Sequence, residues 1–327
     1  MHKLPASDAE NSSALGSGLG SGLGLGLGID AGGSQTRWAL ATTSGAILAE
    51  GQVAGLSALQ IGTANACEGV HACLAQLAGA VLALGKPGRV RAGLTGFGGE
   101  GAQIAEWLAH ALQLDAGAIT LCSDIEIAYL DSFEPGQGYL VYAGTGSIAA
   151  WIDSAGQLHR AGGLGVLLDD GGGGYWIARE ALRHIWRAED ECPGAWRGSA
   201  LAHAVFEQLG GSDWAVTRRF MYGQERGAIG QLALAVAAAA ERDPIAYNIL
   251  YRAGGELARL ALALTARHGP RPVVLSGRAS ELHPVIFEAM RAALPKDISL
   301  QQRTGQAHHA AARIAAKAAS AGLPSDQ

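Results

Sequence analysis

Two glycine-rich segments carry residue types suited to binding phosphate. Asp30–Thr36 reads DAGGSQT after an apolar run, and Ala143–Ser147 reads AGTGS after another. Backbone N–H groups without neighbouring side chains can surround phosphate oxygens, and the Ser34 and Thr36 hydroxyls can add donors. Asp30 offers a carboxylate to Mg²⁺, through water because Mg²⁺ keeps several waters. A plain Gly-Gly hairpin turn explains the first segment equally well.

The second segment also fits a dinucleotide-binding fingerprint, because Gly144–Ala149 matches GxGxxA. That fingerprint requires a helix after the glycines, so that the pyrophosphate lies at the helix N-terminus. The residues that follow, Ala150–Gly156, predict a strand that runs into a turn. The sequence therefore favours a phosphate-binding turn between two strands.

Carboxylates follow two other apolar or glycine-rich stretches. Asp124 comes directly after the predicted strand Ile119–Cys122, and a carboxylate at a strand end facing a cleft is suited to act as a general base. The competing interpretation makes Asp124 the N-cap of the segment from Ile125. Farther on, Asp169 and Asp170 precede four glycines, Gly171–Gly174, that lead into a helix.

The glycines after Asp170 suit a close approach of the backbone to a ligand, and a flexible surface loop is the alternative. Ser276, Gly277 and Arg278 follow the predicted strand Val273–Leu275 and could form a shelf for an adenine ring. His308 and His309 are adjacent on an alanine-rich helix, where the sequence offers no third metal ligand.

The elements that must position these residues alternate between strands and helices. Period-2 and buried apolar runs predict strands at Leu25–Ala31, Arg37–Thr42, Ala46–Val53, Val90–Leu94, Ile119–Cys122, Gly138–Ala143, Ile148–Ile152, Gln157–Arg160 and Val273–Leu275. Helical periodicity predicts helices at Thr63–Leu84, Gln103–Leu114, Tyr175–Arg187, Ala200–Leu209, Ile229–Glu241, Ile245–His268, Leu282–Leu294 and Ala307–Ala319.

Two groups of three strands resemble each other. Each opens with an apolar strand and a glycine-rich turn, and continues with a strand that contains Trp38 or Trp151. Gly33 and Gly45 are 12 residues apart, as are Gly144 and Gly156. A repeat of about 110 residues predicts a duplicated unit, and therefore two α/β domains with both glycine turns at one cleft.

Length, composition and charge restrict the number of domains, the classes of ligand and the cellular location that we expect. The chain has 327 residues, of which 48 are glycines, and a formal net charge of −5. The length favours two domains, and the charge gives no basis for binding nucleic acid. Residues 1–25 are of low complexity and predict a disordered leader. No secretory signal or apolar run of about 18 residues is present, so we expect a cytoplasmic protein with no membrane partner.

In this order, the motifs resemble those of the sugar kinase, heat-shock-chaperone and actin superfamily. More closely, the chain is similar to the BadF/BadG/BcrA/BcrD ATPase family, from Gly28 to about Ala319, and to its N-acetylglucosamine and glucosamine kinases. The resemblance implies two ribonuclease H-like domains, each a mixed five-stranded sheet with flanking helices, around a cleft. It places the first domain at residues 26–135 plus 306–322 and the second at residues 136–305.

The resemblance also implies roles for individual residues. Asp124 matches the catalytic base, and Asp30 is the candidate for Mg²⁺. Contacts to ATP are implied for Gly32, Gly33, Ser34, Thr36, Gly144, Thr145, Gly146, Ser147, Ser276, Gly277 and Arg278. Contacts to the sugar are implied for Asp124, Thr95, Gly96, Thr145, Gly165 and Asp170.

The implied activity is ATP- and Mg²⁺-dependent phosphorylation of an amino-sugar hydroxyl, at the 6 position. The sequence does not fix the oligomeric state, and we expect a homodimer. The sequence does not choose among N-acetylglucosamine, glucosamine and N-acetylmuramate. The chain departs from the family pattern at Gly171, which replaces a Glu, and at Arg278, which replaces a Gly. In addition, the Asn that contacts sugar in the N-acetylglucosamine kinases has no counterpart in residues 55–60. The lost Glu favours a nucleotide or sugar sensor as one alternative. An iron–sulfur activator ATPase is another, for which Cys122 is a candidate ligand without a second thiolate nearby.

Overall fold

The structure is a computed structural model that describes residues 24–33, 35–56, 64–98 and 101–321, without the side chains of residues 64–67. The predicted leader lies outside these residues except for Gly24 and Leu25. Within the described residues, ten strands form two sheets.

The first sheet has the order β3-β2-β1-β4-β5. Its strands are β1 (Gly26–Ala31), β2 (Gln35–Ala41), β3 (Ile47–Ala54), β4 (Arg89–Leu94) and β5 (Ile119–Ser123). The first three strands form an antiparallel meander, while β4 pairs parallel to both β1 and β5. The carboxyl ends of β1, β4 and β5 therefore meet at one edge of the sheet, which is where ligands bind in open α/β sheets.

Helices cover both faces of this sheet. They are α1 (Ala64–Leu82), α2 (Ala102–Leu112), α3 (Asp124–Ser132) and the last helix, α11 (Ala307–Ala321). Trp38 and Leu40 pack with α1 and α2, whereas Ala39 and Ala41 pack against α11. This alternation follows from the period of two along a strand, which sends neighbouring side chains to opposite faces.

The second sheet repeats the topology of the first, with the order β10-β9-β6-β7-β8. Its strands are β6 (Tyr139–Ala143), β7 (Ser147–Ile152), β8 (Leu158–Gly162), β9 (Val273–Ser276) and β10 (Leu300–Arg303). Again a three-strand meander is followed by two parallel strands. The predicted duplication and the predicted pair of mixed five-stranded sheets are thus confirmed for the described residues.

Seven helices of the described chain surround the second sheet. They are α4 (Gly174–Glu191), α5 (Ala200–Leu209), α6 (Trp214–Gly223), α7 (Arg226–Gly230), α8 (Leu232–Ala239), α9 (Pro244–His268) and α10 (Pro284–Ala293). The longest, α9, begins at Pro244 after Asp243, whose carboxylate accepts from two backbone N–H groups of the first turn. That cap and the proline at the first helical position explain where α9 starts.

The sequence did not predict three of these elements and merged two others. Helix α3 has a mixed polar and apolar pattern, α6 has one buried side chain, and β10 is exposed apart from Leu300. Since none of the three has a clear apolar stripe, periodicity had no signal to detect. The predicted helix Ile229–Glu241 is instead α7 and α8, separated at Gln231.

The last helix returns to the first sheet at unusually close range. A Cβ on Gly26 would lie 1.9 Å from the Ala316 nitrogen, and a Cβ on Gly28 would lie 2.1 Å from the His308 carbonyl oxygen. Only glycine permits such an approach of backbone to backbone. This packing supports, as a proposal, the domain limits 26–135 plus 306–322 and 136–305.

Among the described residues, no helix has the length and apolar character needed to cross a membrane.

Two adjacent glycines of α9 provide a matched test of the packing in the second half. A Cβ on Gly254 would lie 2.2 Å from the Ile286 carbonyl oxygen in α10, whereas nothing lies within 4 Å of one on Gly255. We expect Gly254→Ala to lower the free energy of unfolding by about 1–3 kcal/mol through overpacking. Gly255→Ala should raise it by about 0.5–1 kcal/mol through helix propensity. Urea denaturation measures both, and equal effects would contradict the observed helix contact.

Candidate active site

Asp124 lies where β5 ends and α3 begins. The residue before it, Ser123, is the N-cap of α3, and the Glu126 carboxylate accepts from its backbone N–H at 2.9 Å and its hydroxyl at 2.7 Å. Asp124 is therefore the first helical residue and not the N-cap. Because Ser123 and Glu126 stabilise the helix start, the Asp124 side chain is available for another role.

A hydrogen bond to a neighbouring strand end orients the Asp124 carboxylate. The Thr95 hydroxyl donates to Oδ2 at 2.6 Å, and the Ile125 N–H donates to Oδ1 at 2.8 Å. Thr95 follows β4, and its own N–H donates to the Ala31 carbonyl at the end of β1. Three strand ends thus converge on this carboxylate.

A glycine in β4 allows α3 to approach this closely. A Cβ on Gly93 would lie 2.5 Å from the Ile127 side chain and 3.1 Å from the Asp124 Cα. Any larger residue at position 93 would therefore push the start of α3, and Asp124 with it, away from the sheet.

Burial raises the pKa of Asp124, and the nearby charge of Asp30 raises it further, while the hydrogen bonds from Thr95 and Ile125 act in the opposite direction. Burial favours the neutral carboxylic acid because the charged form loses hydration. A half-buried, oriented carboxylate with a raised pKa at the carboxyl ends of parallel strands is a candidate general base.

Asp30, at the end of β1, is paired with an arginine. Arg37 Nη2 donates to Asp30 Oδ2 at 2.8 Å, and the Asp30 side chain is 17% exposed. The negative charges of Asp30 and Asp124 lie close enough to repel, and a cation would relieve this repulsion. Carboxylate oxygens at these strand ends therefore suit Mg²⁺ bound through water. The Asp30 carboxylate would interact with this cation while it remains paired with Arg37.

The first glycine turn closes with a backbone hydrogen bond from Gly32 N–H to the Gln35 carbonyl at 3.0 Å. Gly33 is exposed, and a Cβ there would meet nothing within 4 Å, so its backbone is open to a ligand. Ser34 lies outside the described residues. The position of Thr36 does not suit the predicted hydroxyl contact to phosphate: its side chain is completely buried, on the β2 face that carries Trp38.

The second glycine turn packs directly against the segment around Asp170. A Cβ on Gly146 would lie 2.1 Å from Asp170 Oδ2, and one on Gly173 would lie 2.6 Å from the Gly146 carbonyl carbon. Strand β7 begins at once with Ser147, so no dinucleotide-type helix follows the turn. The buried Ser147 hydroxyl donates to the Gly171 carbonyl at 2.7 Å. That hydroxyl therefore joins the two segments, and the contact of Ser147 with ATP stays a prediction.

Thr145 and Gly144 connect the same turn to the start of α4. The Gly144 carbonyl accepts from the Gly174 N–H at 2.8 Å, and the Thr145 carbonyl accepts from the Tyr175 N–H at 3.0 Å. These bonds fix the turn against the first turn of α4.

Asp170 is buried and has a left-handed backbone, with φ of 52°. Its Oδ1 accepts from the Gly165 N–H at 3.0 Å, and burial raises its pKa. A non-glycine residue in this conformation is uncommon and concentrates at ligand sites. Gly165 and Gly96, two other predicted sugar contacts, also have positive φ, at 93° and 75°.

A carboxylate that the sequence did not indicate lies beside Gly171. A Cβ at position 171 would lie 2.9 Å from Glu256 Oε2, which also accepts from Arg259 Nε at 2.9 Å. Arg259 in turn bonds Asp169 at 2.8 Å. Glu256 is on α9, 85 positions away in the chain, so only the fold could associate it with this segment.

The predicted adenine shelf packs against the strand that leads to the second turn. Gly277 has φ of 97°, and a Cβ there would lie 2.4 Å from the Ala143 carbonyl oxygen. Ser276 is buried, whereas Arg278 is exposed. Arg278 borders an open groove of about 420 Å³, which is lined by Leu234, Ala237, Ala238, Arg278, Glu281 and Leu282.

The predicted site residues thus form two groups, one beside the strand ends of each sheet. Asp30, Thr95 and Asp124 come together at the first sheet, while Gly146, Gly165 and Asp170 come together at the second. The first group can accept a proton, and the second offers glycine backbone and a buried carboxylate.

The cysteine next to this site is not arranged as a cluster ligand. Cys122 is buried, and its Sγ donates to the Ala92 carbonyl. Burial raises the pKa of this thiol to about 11, which disfavours the thiolate that binds metals. Among the described residues, the only group of three metal-ligating side chains contains no cysteine.

Comparisons with known proteins connect this geometry to a family. The model of the BadF/BadG/BcrA/BcrD ATPase family matches residues 27–312. The N-acetylmuramic acid/N-acetylglucosamine kinase of Clostridium acetobutylicum is 35% identical over 75 residues, or 23% of this chain. That segment spans only 24% of the Clostridium kinase.

Solved structures match over a much longer span. A Chromobacterium violaceum protein, assigned as a candidate N-acetylglucosamine kinase, is 26% identical with a TM-score of 0.68, covering 90% of this chain and 99% of that one. A Streptomyces griseus ROK family glucokinase, in complex with glucose and AMPPNP, is 18% identical with a TM-score of 0.60. It covers 91% of this chain and 100% of its own, which is a likeness of fold.

The raised pKa of Asp124 determines how this residue contributes to the free energy of unfolding at different pH values. A carboxyl group with a higher pKa in the folded state binds its proton more tightly there, so its contribution to stability falls as the pH rises above the ordinary Asp range. We expect Asp124→Asn to be more stable than the parent at pH 7, and this advantage to shrink as acid protonates Asp124. Urea unfolding across pH measures it. A variant that is less stable than the parent at pH 7 contradicts the effect of burial.

Proposed function

The chain belongs to the BadF/BadG/BcrA/BcrD ATPase family, and from that premise we propose that it is an ATP-dependent kinase of an amino sugar. The observation that carries this proposal is the half-buried Asp124 carboxylate, oriented by Thr95 at a sheet edge that also presents a glycine turn. N-acetylglucosamine and glucosamine are the proposed acceptors. The names of the Clostridium and Chromobacterium relatives support this choice.

In the proposed mechanism the two glycine turns bind the phosphates of ATP. Backbone N–H groups at Gly33, Thr145 and Gly146 donate to phosphate oxygens and stabilise the charge of the transferring group. Asp124 Oδ2 accepts the proton of the sugar hydroxyl as that oxygen attacks the γ-phosphate. Mg²⁺, when bound near Asp30 through water, would neutralise charge on the phosphate oxygens.

The sugar would lie between Asp124 and Asp170. Asp170 accepts hydrogen bonds from ring hydroxyls, and Gly96 and Gly165 leave space for the ring beside the backbone. We propose the 6-hydroxyl as the acceptor, because this primary hydroxyl extends from the ring and can reach Asp124 while the ring contacts Asp170. Closure of the cleft would exclude water, which otherwise competes as an acceptor.

The groove beside Arg278 is the proposed adenine site. It joins Gly277, which packs on the strand before the second turn, so a nucleotide with phosphates on that turn would extend toward it. Leu234 and Leu282 offer apolar contact, and the Arg278 guanidinium can stack on a base.

Two alternatives remain distinguishable by experiment. A sensor would bind ATP without releasing ADP in the presence of any amino sugar; Gly171, where a carboxylate is expected, favours this. An iron–sulfur activator would be coloured as purified, and the buried Cys122 offers it no support. The homodimer and the cytoplasmic location stay predictions from sequence.

Loss of the proposed base should abolish turnover while leaving the fold intact. Asp124→Asn retains the shape and its neighbours but cannot accept a proton, so we expect kcat to fall by about 10²- to 10⁴-fold. A coupled ADP-release assay over an amino-sugar panel, with ATP and Mg²⁺, measures this. Asp190→Asn, at an exposed position of α4, is the matched control. Near-normal turnover in Asp124→Asn would exclude the assigned role.

A negative charge introduced into the groove beside Arg278 should weaken the binding of ATP and leave the binding of the sugar unchanged. Leu234 is 58% exposed, so Leu234→Glu should fold, while its carboxylate would disturb adenine contact. We expect the KM for ATP to rise about tenfold, a loss of about 1.4 kcal/mol, with the KM for the sugar unchanged. Leu84→Glu, at an exposed leucine after α1, is the control. An unchanged KM for ATP would show that the adenine ring does not bind in this groove.

A further inference from the structure

The last helix brings two histidines to one carboxylate on the edge strand of the first sheet. Glu50 on β3 lies opposite Ala39 of β2, on the sheet face that α11 covers. His308 Nε2 lies 3.4 Å from Glu50 Oε2, and His309 Nε2 forms a hydrogen bond to the same oxygen. One ligand atom from each side chain lies within 4.8 Å of the other two.

Burial holds the two imidazoles in place beside the exposed carboxylate of Glu50. The His308 and His309 side chains are 7% and 11% exposed, whereas that of Glu50 is 58% exposed. Packing fixes the positions of the two ligand nitrogens, and the carboxylate stays accessible to an ion from solvent.

We propose that Glu50, His308 and His309 form a binding site for a divalent transition metal, Zn²⁺ in the first instance, with water as the fourth ligand. Two imidazoles and one carboxylate are a recognised ligand set for Zn²⁺. Bond lengths of about 2.0–2.2 Å in tetrahedral geometry require ligand atoms about 3.3–3.5 Å apart. The His308–Glu50 separation already meets this requirement, and the exposed side of Glu50 leaves a path for the ion.

Two further features near His308 affect the affinity of the proposed site for a metal ion. The charge of Arg37 acts on His308 and opposes a cation, although the guanidinium is already paired with Asp30 at 2.8 Å. The buried Nδ1 atom of His308 has no hydrogen-bond partner among the described residues, so no bond there prevents the proton from residing on Nδ1. Nε2 can therefore present its lone pair to the metal.

A bound ion would join α11 to the edge strand β3. The ligands come from elements separated by more than 250 residues in the chain, so binding requires the folded first sheet. A ligand that binds only the native state raises the apparent stability, and the increase grows with the logarithm of the ligand concentration once that exceeds Kd. This inference is independent of the proposed kinase activity, because it uses none of the residues assigned to ATP or sugar.

The test is metal binding by the full chain, freed of any affinity tag and carrying Cys192→Ser to remove an exposed thiol. Isothermal titration with Zn²⁺ should give one site per chain, and Co²⁺ should give the intense visible absorption of a four-coordinate site. We expect Glu50→Gln and His309→Gln each to weaken Zn²⁺ binding by at least about tenfold. His184→Gln, at an exposed histidine of α4, should bind as the parent does.

Thermal unfolding separates loss of the site from loss of the fold. Without metal, Glu50→Gln should melt close to the parent, because Glu50 is largely exposed. With excess Zn²⁺, the Tm of the parent should rise and that of Glu50→Gln should not. The proposal is overturned if the parent binds neither Zn²⁺ nor Co²⁺. It is also overturned if Glu50→Gln and His309→Gln both bind with the parent's affinity, since the metal then lies elsewhere.

Discussion

The arrangement of the first half depends on a half-buried carboxylate, Asp124, to which the described residues provide no ion-pair partner. Asp124 is stabilised by the Thr95 hydroxyl and by the N–H of Ile125, and burial still raises its pKa. To place it there, β5 must end at Ser123, α3 must begin immediately, and Gly93 must let that helix approach β4. Such a carboxylate opposes folding at neutral pH, which is expected where the chemistry requires a poised base.

Close backbone packing in the second half explains why the glycines concentrate where they do. Gly146, Gly173 and Gly277 each lie where a Cβ would come within 3 Å of neighbouring atoms, and they join the second turn to Asp170 and to the predicted adenine shelf. The same absence of side chains that lets the segments pack also exposes N–H groups to a ligand. Both the close packing and the proposed binding of a ligand therefore require glycine at these positions.

The sequence predicted the parts of the site that depend on local pattern. Strand ends, the repeat and Asp124 all follow from apolar runs and turn residues. Thr36 was assigned to phosphate because proximity along the chain does not reveal the face of β2 on which it lies. Glu256 could not be found, since it reaches Gly171 only through the packing of α9. Likewise, the third ligand beside His308 and His309 comes from β3, and only the return of α11 to the first sheet reveals it.

Charges of alternating sign connect the cleft with the sheet edge. Asp30 pairs with Arg37, the Arg37 charge acts on His308, and His308 lies beside Glu50. A protonated His308 would place two cations side by side under α11, so the neutral imidazole is the form that this packing tolerates. A divalent ion bound by Glu50, His308 and His309 would lie near the same guanidinium, and the pairing of Arg37 with Asp30 already offsets part of that positive charge.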